Sequence, residues 1–197
     1  MKRILVKFYK RGDARFLSHR ETMRALERAL RRSGAALLFT EGYNPRPRMS
    51  FSPALPLGVA AEAEYLEVSV VEETDLQAMR ENMHRSLPSG LGIVSLQVLP
   101  PSMPRLSRWT RYGLYRVEAG DRRYHLALRL SGEGEGRLKE ALERLGEYLK
   151  ADLQGGEVTR VGIYASRDEV AEEVTGAIYL YRGKEGELEV MQGGHKG

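Results

Sequence analysis

Residues 16–58 read FLSHRETMRALERALRRSGAALLFTEGYNPRPRMSFSPALPLG, and the order of signals inside them decides the fold. Ser18 and Glu21 have capping-box spacing: the serine hydroxyl can accept from the third helical N–H while the glutamate reaches back. This predicts a helix over 19–33, with Gly34 as its left-handed stop. Met23, Leu26 and Leu30 share one face of that helix, and Arg20, Arg24, Arg28 and Arg31 recur at i, i+4, i+8 and i+11 on another. Residues 35–40 read as a short strand. The loop Glu41-Gly42-Tyr43-Asn44-Pro45-Arg46-Pro47-Arg48 cannot be regular structure, because two prolines remove donors and fix φ.

Working outward, residues 2–9 alternate Ile4, Val6 and Phe8 at period two and read as the first strand rather than a signal peptide. Residues 14–17 could continue it briefly. Downstream, 49–57 and 65–71 read as strands, and Thr74 caps a second helix to about Leu87. Residues 91–99 read as another strand. The order β-α-β-β-(β)-α-β predicts an α+β, ferredoxin-like (split βαβ) domain over 1–99. A proline-rich linker, 100–104, leads to a second α/β half over 105–197. Its strands fall near 111–119, 123–131, 157–165, 176–182 and 187–191, with an SGEGEG turn and a helix over 136–150. This half could be a degenerate second ferredoxin-like unit. The GGHKG ending is expected to fray.

Charge sharpens the functional reading. The first 50 residues carry 13 Lys/Arg and 4 Asp/Glu, a net of +9, whereas the whole chain is only +4. Positive charge so concentrated points to a polyanion. The chain has no cysteine, which excludes disulfides and any cluster or zinc held by its own thiolates, and fits a reducing cytoplasm. No apolar run approaches the roughly 20 residues that span a bilayer, so no membrane partner is expected. His19, His84, His125 and His195 are dispersed, and no metal site is expected.

The rigid loop would present Arg46 and Arg48 at low entropic cost, with Tyr43 as a stacking face. The alternative is a structural crossover whose arginines pair with Glu62 or Glu64. His19, at the helix start, could act as a general base or phosphate donor, or simply pack there. Arg108, Trp109 and Arg111 interleave bases with an aromatic ring, which suits a second nucleic-acid contact or a linker running into a strand. The helix arginines are equally the solvated face of a core-packed helix. The acidic run 168–173 reads as a solvated turn or short helix.

Ser18-His19, Arg28-Ala-Leu-Arg-Arg32, Glu41-Gly42-Tyr43-Asn44-Pro45-Arg46-Pro47, Ala54-Leu-Pro-Leu-Gly58 and Glu64-Tyr-Leu together resemble the radical SAM-linked bacterial proteins, a domain of unknown function. The resemblance spans about residues 3–95. Arg20-Glu21 stands where Leu-Asp is usual there, Tyr43 where Phe is usual, and Ala61 where Ser is common. The resemblance implies a radical SAM protein as partner. S-adenosylmethionine and the iron–sulfur cluster would belong to that partner, with no cofactor in this chain. The architecture is also similar to the ferredoxin-like RNA-processing proteins of CRISPR systems, which implies cleavage roles for His19 and Tyr43.

Three functions compete. The first is a non-catalytic accessory of a radical SAM enzyme that binds structured RNA, rRNA or tRNA, through Arg20, Arg24, Arg28, Arg31, Tyr43, Arg46 and Arg48, with Arg108, Trp109 and Arg111 as a further contact. The second is a protein–protein adaptor docking on that partner without RNA. The third is a metal-independent endoribonuclease using His19 and Tyr43.

Overall fold

The structure, a computed structural model, describes residues 1–130, 137–153, 155–182 and 187–194. The SGEGEG turn and residues 195–197 lie outside the described residues; the start of the expected frayed end is ordered instead, with Gly193 closing the last strand and the Gly194 N–H donating to the Ala171 carbonyl (3.0 Å). The chain divides into two units, Met1–Ser107 and Arg108–Gly197.

In the first unit, β1 (Lys2–Lys10) is followed by a 3-10 turn (Gly12–Phe16) and α1 (His19–Arg32). Then come β2 (Met49–Phe51), β3 (Ala60–Val70), α2 (Leu76–Ser86) and β4 (Leu91–Leu99). The strands pair antiparallel in the order β4-β1-β3-β2. This is the ferredoxin-like arrangement: the crossover through α1 leaves room for β3 beside β1. Ile4, Val6 and Phe8 of β1 and Leu66, Val68 and Val70 of β3 point to one face, where α1 and α2 bring Leu26, Leu30, Met79 and Met83. Period two on the strands and period 3.6 on the helices thus meet in one core.

Several boundaries differ from the sequence reading. Residues 35–40 form no strand, only the isolated bridges Leu37–Val70 and Phe39–Pro47. So short an apolar piece cannot extend a ladder along β3 where β2 already pairs with Leu66–Val68. The expected strand over 49–57 stops at Phe51, because Pro53 and Pro56 interrupt the donors a ladder needs. Residues 14–17 turn rather than extend. Asp75, not Thr74, caps α2: its carboxylate accepts from the N–H groups of Gln77 (2.9 Å) and Ala78 (3.1 Å). The Thr74 hydroxyl instead donates to the Val71 carbonyl.

A single helical turn, α3 (Leu106–Trp109), precedes β5 (Tyr112–Ala119) and β6 (Arg122–Arg129). The second unit continues with α4 (Leu138–Leu149), β7 (Glu157–Tyr164), α5 (Arg167–Glu173), β8 (Gly176–Arg182) and β9 (Glu187–Gly193). Its strand order is β7-β5-β6-β8-β9. The β6-α4-β7 crossover brackets β5, a split βαβ compatible with a degenerate ferredoxin-like unit. The parallel β6–β8 pair and the β8–β9 hairpin are its departures. Leu114, Ala127, Val170, Ile178 and Leu180 form a core there. His125 on β6 is held below the ordinary imidazole range by burial and by Arg123 and Arg116.

Candidate functional site

The capping box at the start of α1 is complete. Ser18 Oγ accepts from the Glu21 N–H (3.2 Å), and Glu21 Oε2 accepts from the Ser18 N–H (2.8 Å) and hydroxyl (2.7 Å). Those two donors hold the Glu21 carboxyl below its usual range. The far end stops at Gly34, whose φ of +76° suits a residue without Cβ. Thr22, Ala25, Leu26, Ala29 and Leu30 turn inward. Arg20, Arg24, Arg28 and Arg31 are all exposed, and the first three recur at about 6 Å along the axis. Arg31 is tied to Glu27 (2.9 Å), and its guanidinium lies 5.4 Å from the Phe39 ring centroid.

That ring joins the helix to the loop. The loop is closed by backbone bonds, Thr40 N–H to Arg46 carbonyl (2.8 Å) and Arg48 N–H to Leu38 carbonyl (2.7 Å), and Thr40 Oγ1 accepts from the Arg46 N–H. Gly42 adopts φ +119° at the turn. Tyr43 is 100% exposed; Asn44, Pro45 and Arg46 are exposed beside it, and Pro47 is buried. Arg48 donates through Nε to the Phe39 carbonyl (2.8 Å) and reaches Glu41 at 3.5 Å.

A second constellation sits at the start of α1, on the helix-facing side of the sheet. There the apolar rows end in charge: Lys10 continues the Ile4-Val6-Phe8 row, and Glu64 continues the row of Leu66 and Val68. Lys10 is 2% exposed and donates to the Leu17 carbonyl (2.6 Å). Glu64 is 5% exposed and accepts from the Ser52 hydroxyl (3.1 Å), which itself accepts from the Tyr65 N–H. With His19, Thr22, Phe51 and Leu55 they line a cavity of 20 Å³, room for about one water molecule. His19 meets the Phe51 ring edge-on at 6.0 Å. The Gly58 N–H, donating to the Arg15 carbonyl, fastens the Leu-Pro-Leu-Gly turn nearby.

The fold thus gathers Ser18, His19, Gly58 and Glu64 at one end of α1. The base of the Tyr43 loop is held at the other end by Arg31 and Phe39. His19 lines the small pocket, while Tyr43 stands fully exposed on the loop. Sequence reasoning missed Lys10 and Ser52. The available signal was an apolar period-two row ending in lysine. In the second unit, Arg108 and Arg111 are exposed and Trp109 is half-buried; Arg111 Nε donates to the Arg108 carbonyl (3.0 Å). Among the described residues no group of three or more His, Asp or Glu side chains is placed to hold a metal. Among them, too, no helix is long and apolar enough to cross a membrane.

These features define an α+β protein whose first unit is a ferredoxin-like sandwich carrying an exposed arginine row, a rigid basic loop and a buried polar cluster. The chain belongs to the family described as uncharacterized protein conserved in bacteria (DUF2344), whose model matches residues 3–153. The match covers nearly all of the first unit and runs through α4 of the second. No curated protein matches the chain.

Proposed function

We propose that this protein binds structured RNA, rRNA or tRNA, through α1 and the Tyr43 loop, as the non-catalytic accessory of a radical SAM enzyme. The observation that carries the reading is the exposure of Arg20, Arg24 and Arg28 in one row on α1, with Arg31 leading through Phe39 to the loop. Guanidinium forks suit phosphate oxygens, and Tyr43 offers an unobstructed ring on which a base can stack. The capping box and the closed loop hold these groups before binding, which lowers the ordering cost of association. In this reading the chain positions RNA, and the partner brings S-adenosylmethionine and an iron–sulfur cluster, since this chain has no thiolate to ligate one.

The test is fluorescence anisotropy of labelled tRNA and rRNA fragments at several salt concentrations, against a variant with Arg20, Arg24, Arg28 and Arg46 changed to Ala. If about six phosphates are neutralised, affinity falls roughly 10³-fold between 50 and 200 mM salt, and the variant loses that binding. Salt-insensitive or absent binding by the parent overturns the reading and favours an adaptor that docks on the partner protein. RNA cleavage in EDTA, lost in His19→Ala, would instead establish a nuclease.

A further inference from the structure

The face of the first unit's sheet turned away from α1 and α2 holds a cleft of 650 Å³, within the ordinary size of a small-ligand site. One wall is the end of the loop, with Pro47 and Arg48; the other is the segment after β4, with Arg105 and Ser107. Ser50, Ser69 and Glu67 form the floor. A bare carboxylate on that floor would repel an anion, but Glu67 is fully engaged. It is 3% exposed and receives Arg3 Nε (2.8 Å), Arg3 Nη2 (3.0 Å), Arg105 Nη1 (2.9 Å) and the Leu106 N–H (3.1 Å). Two arginines on one carboxylate leave a net positive floor. Arg105 remains 64% exposed while making that contact, so much of its fork still faces solvent.

Across the cleft, Arg48 is aimed by its Nε bond to the Phe39 carbonyl, and among the described residues its terminal nitrogens reach Glu41 at 3.5 Å. The same Phe39 carries Arg31 of α1 on its ring. The basic helix row and the cleft are therefore linked through one residue. The cleft also offers Met1, 67% exposed, as apolar surface, next to hydroxyls and guanidinium groups. That combination suits the flat base and the phosphate of a nucleotide.

We infer that this cleft takes one unpaired nucleotide of the bound RNA, its phosphate between Arg48 and Arg105 and its base against Met1. The inference rests on the RNA-binding reading above and adds where a single-stranded segment goes. It predicts that the protein distinguishes an RNA with an unpaired end from a blunt duplex.

The test compares a short blunt RNA duplex with the same duplex carrying a short single-stranded overhang, for the parent, Arg105→Ala and Ser50→Tyr. The serine variant fills the cleft from its exposed floor and leaves the partners of Glu67 in place. The parent is expected to bind the overhang RNA about tenfold more tightly, the scale of holding one stacked base. Both variants lose that preference and keep the parent's affinity for the blunt duplex. Equal binding of the two RNAs by the parent overturns the cleft inference alone. Preference retained in both variants does the same. No binding of either RNA by the parent overturns the underlying RNA reading together with it. A free nucleoside monophosphate that binds the parent as tightly as the overhang RNA, and is lost in Ser50→Tyr, would make the ligand a free nucleotide and overturn the strand assignment.

Discussion

Arg20, Arg24 and Arg28 lie along α1 in solvent, whereas Arg3, on the opposite face of the same unit's sheet, is folded onto the buried carboxylate of Glu67. The residue type is the same and its surroundings decide its use. On the helix, water screens each guanidinium, so neighbours contribute little to stability and the charge stays available to a partner. Around Glu67 the carboxylate is out of water, and each donor removed leaves a buried charge short of a partner. The helix arginines are therefore expected to govern binding, and Arg3 folding.

The sharpest way to break this contrast is Arg3→Ala. Stripping the bidentate partner from Glu67 is expected to cost about 3–5 kcal/mol, read as a lower urea midpoint at unchanged slope. A cost under about 1 kcal/mol would place Arg3 with the surface arginines.

Acid should act on the same knot. Burial alone would raise the Glu67 pKa, but the bonds from Arg3, Arg105 and the Leu106 N–H outweigh it and hold it below the ordinary 4.5. A carboxylate whose folded pKa is depressed contributes stability above its unfolded pKa and loses it as pH falls through the folded value. The stability gap between the parent and Glu67→Gln is thus widest near neutral pH and closes on acidification below the unfolded pKa. Urea titrations from neutral to acid pH that found a constant gap would refute this.

Ser18→Ala tests the helix side. It removes the acceptor for the Glu21 N–H and is expected to cost about 1 kcal/mol, measured by thermal unfolding. RNA affinity should fall only as far as the first turn of α1 frays.

The smallest effect on stability belongs to Arg24→Ala, expected within about 0.5 kcal/mol of the parent. Its signature is in binding: the slope of log affinity against log salt should become shallower by about one unit. An unchanged slope would remove Arg24 from the proposed contact surface.

The capped helix, its stop at Gly34, the first strand, the second helix and β4 were legible in residues 2–99, whereas the expected order carried one strand too many, at 35–40. Each rests on local chemistry: a reciprocal cap, a left-handed glycine, apolar residues at period two or 3.6. The exposed arginine row was legible for the same reason, since helical spacing alone places it. The buried cluster was only half legible. His19 and Glu64 stood out in the motif, but Lys10 and Ser52 did not, because a lysine at a strand end and a serine before a proline ordinarily face water.

What the amino-acid sequence determined by itself is therefore the first strand, the capped first helix and the arginine row upon it, because these follow from bonds and spacings within a few residues. The tertiary structure alone decided the rest. Period two put Glu67 on the face away from the core, and there it reads as solvated. It is buried because Arg3 and Arg105, 64 and 38 residues away, fold over it. Residues 35–40 carry strand-forming side chains and yet make only isolated bridges, because β2 already occupies the edge of β3. Which charges end in water and which in an ion pair depends on partners distant in the chain, and no local pattern of residues encodes that distance.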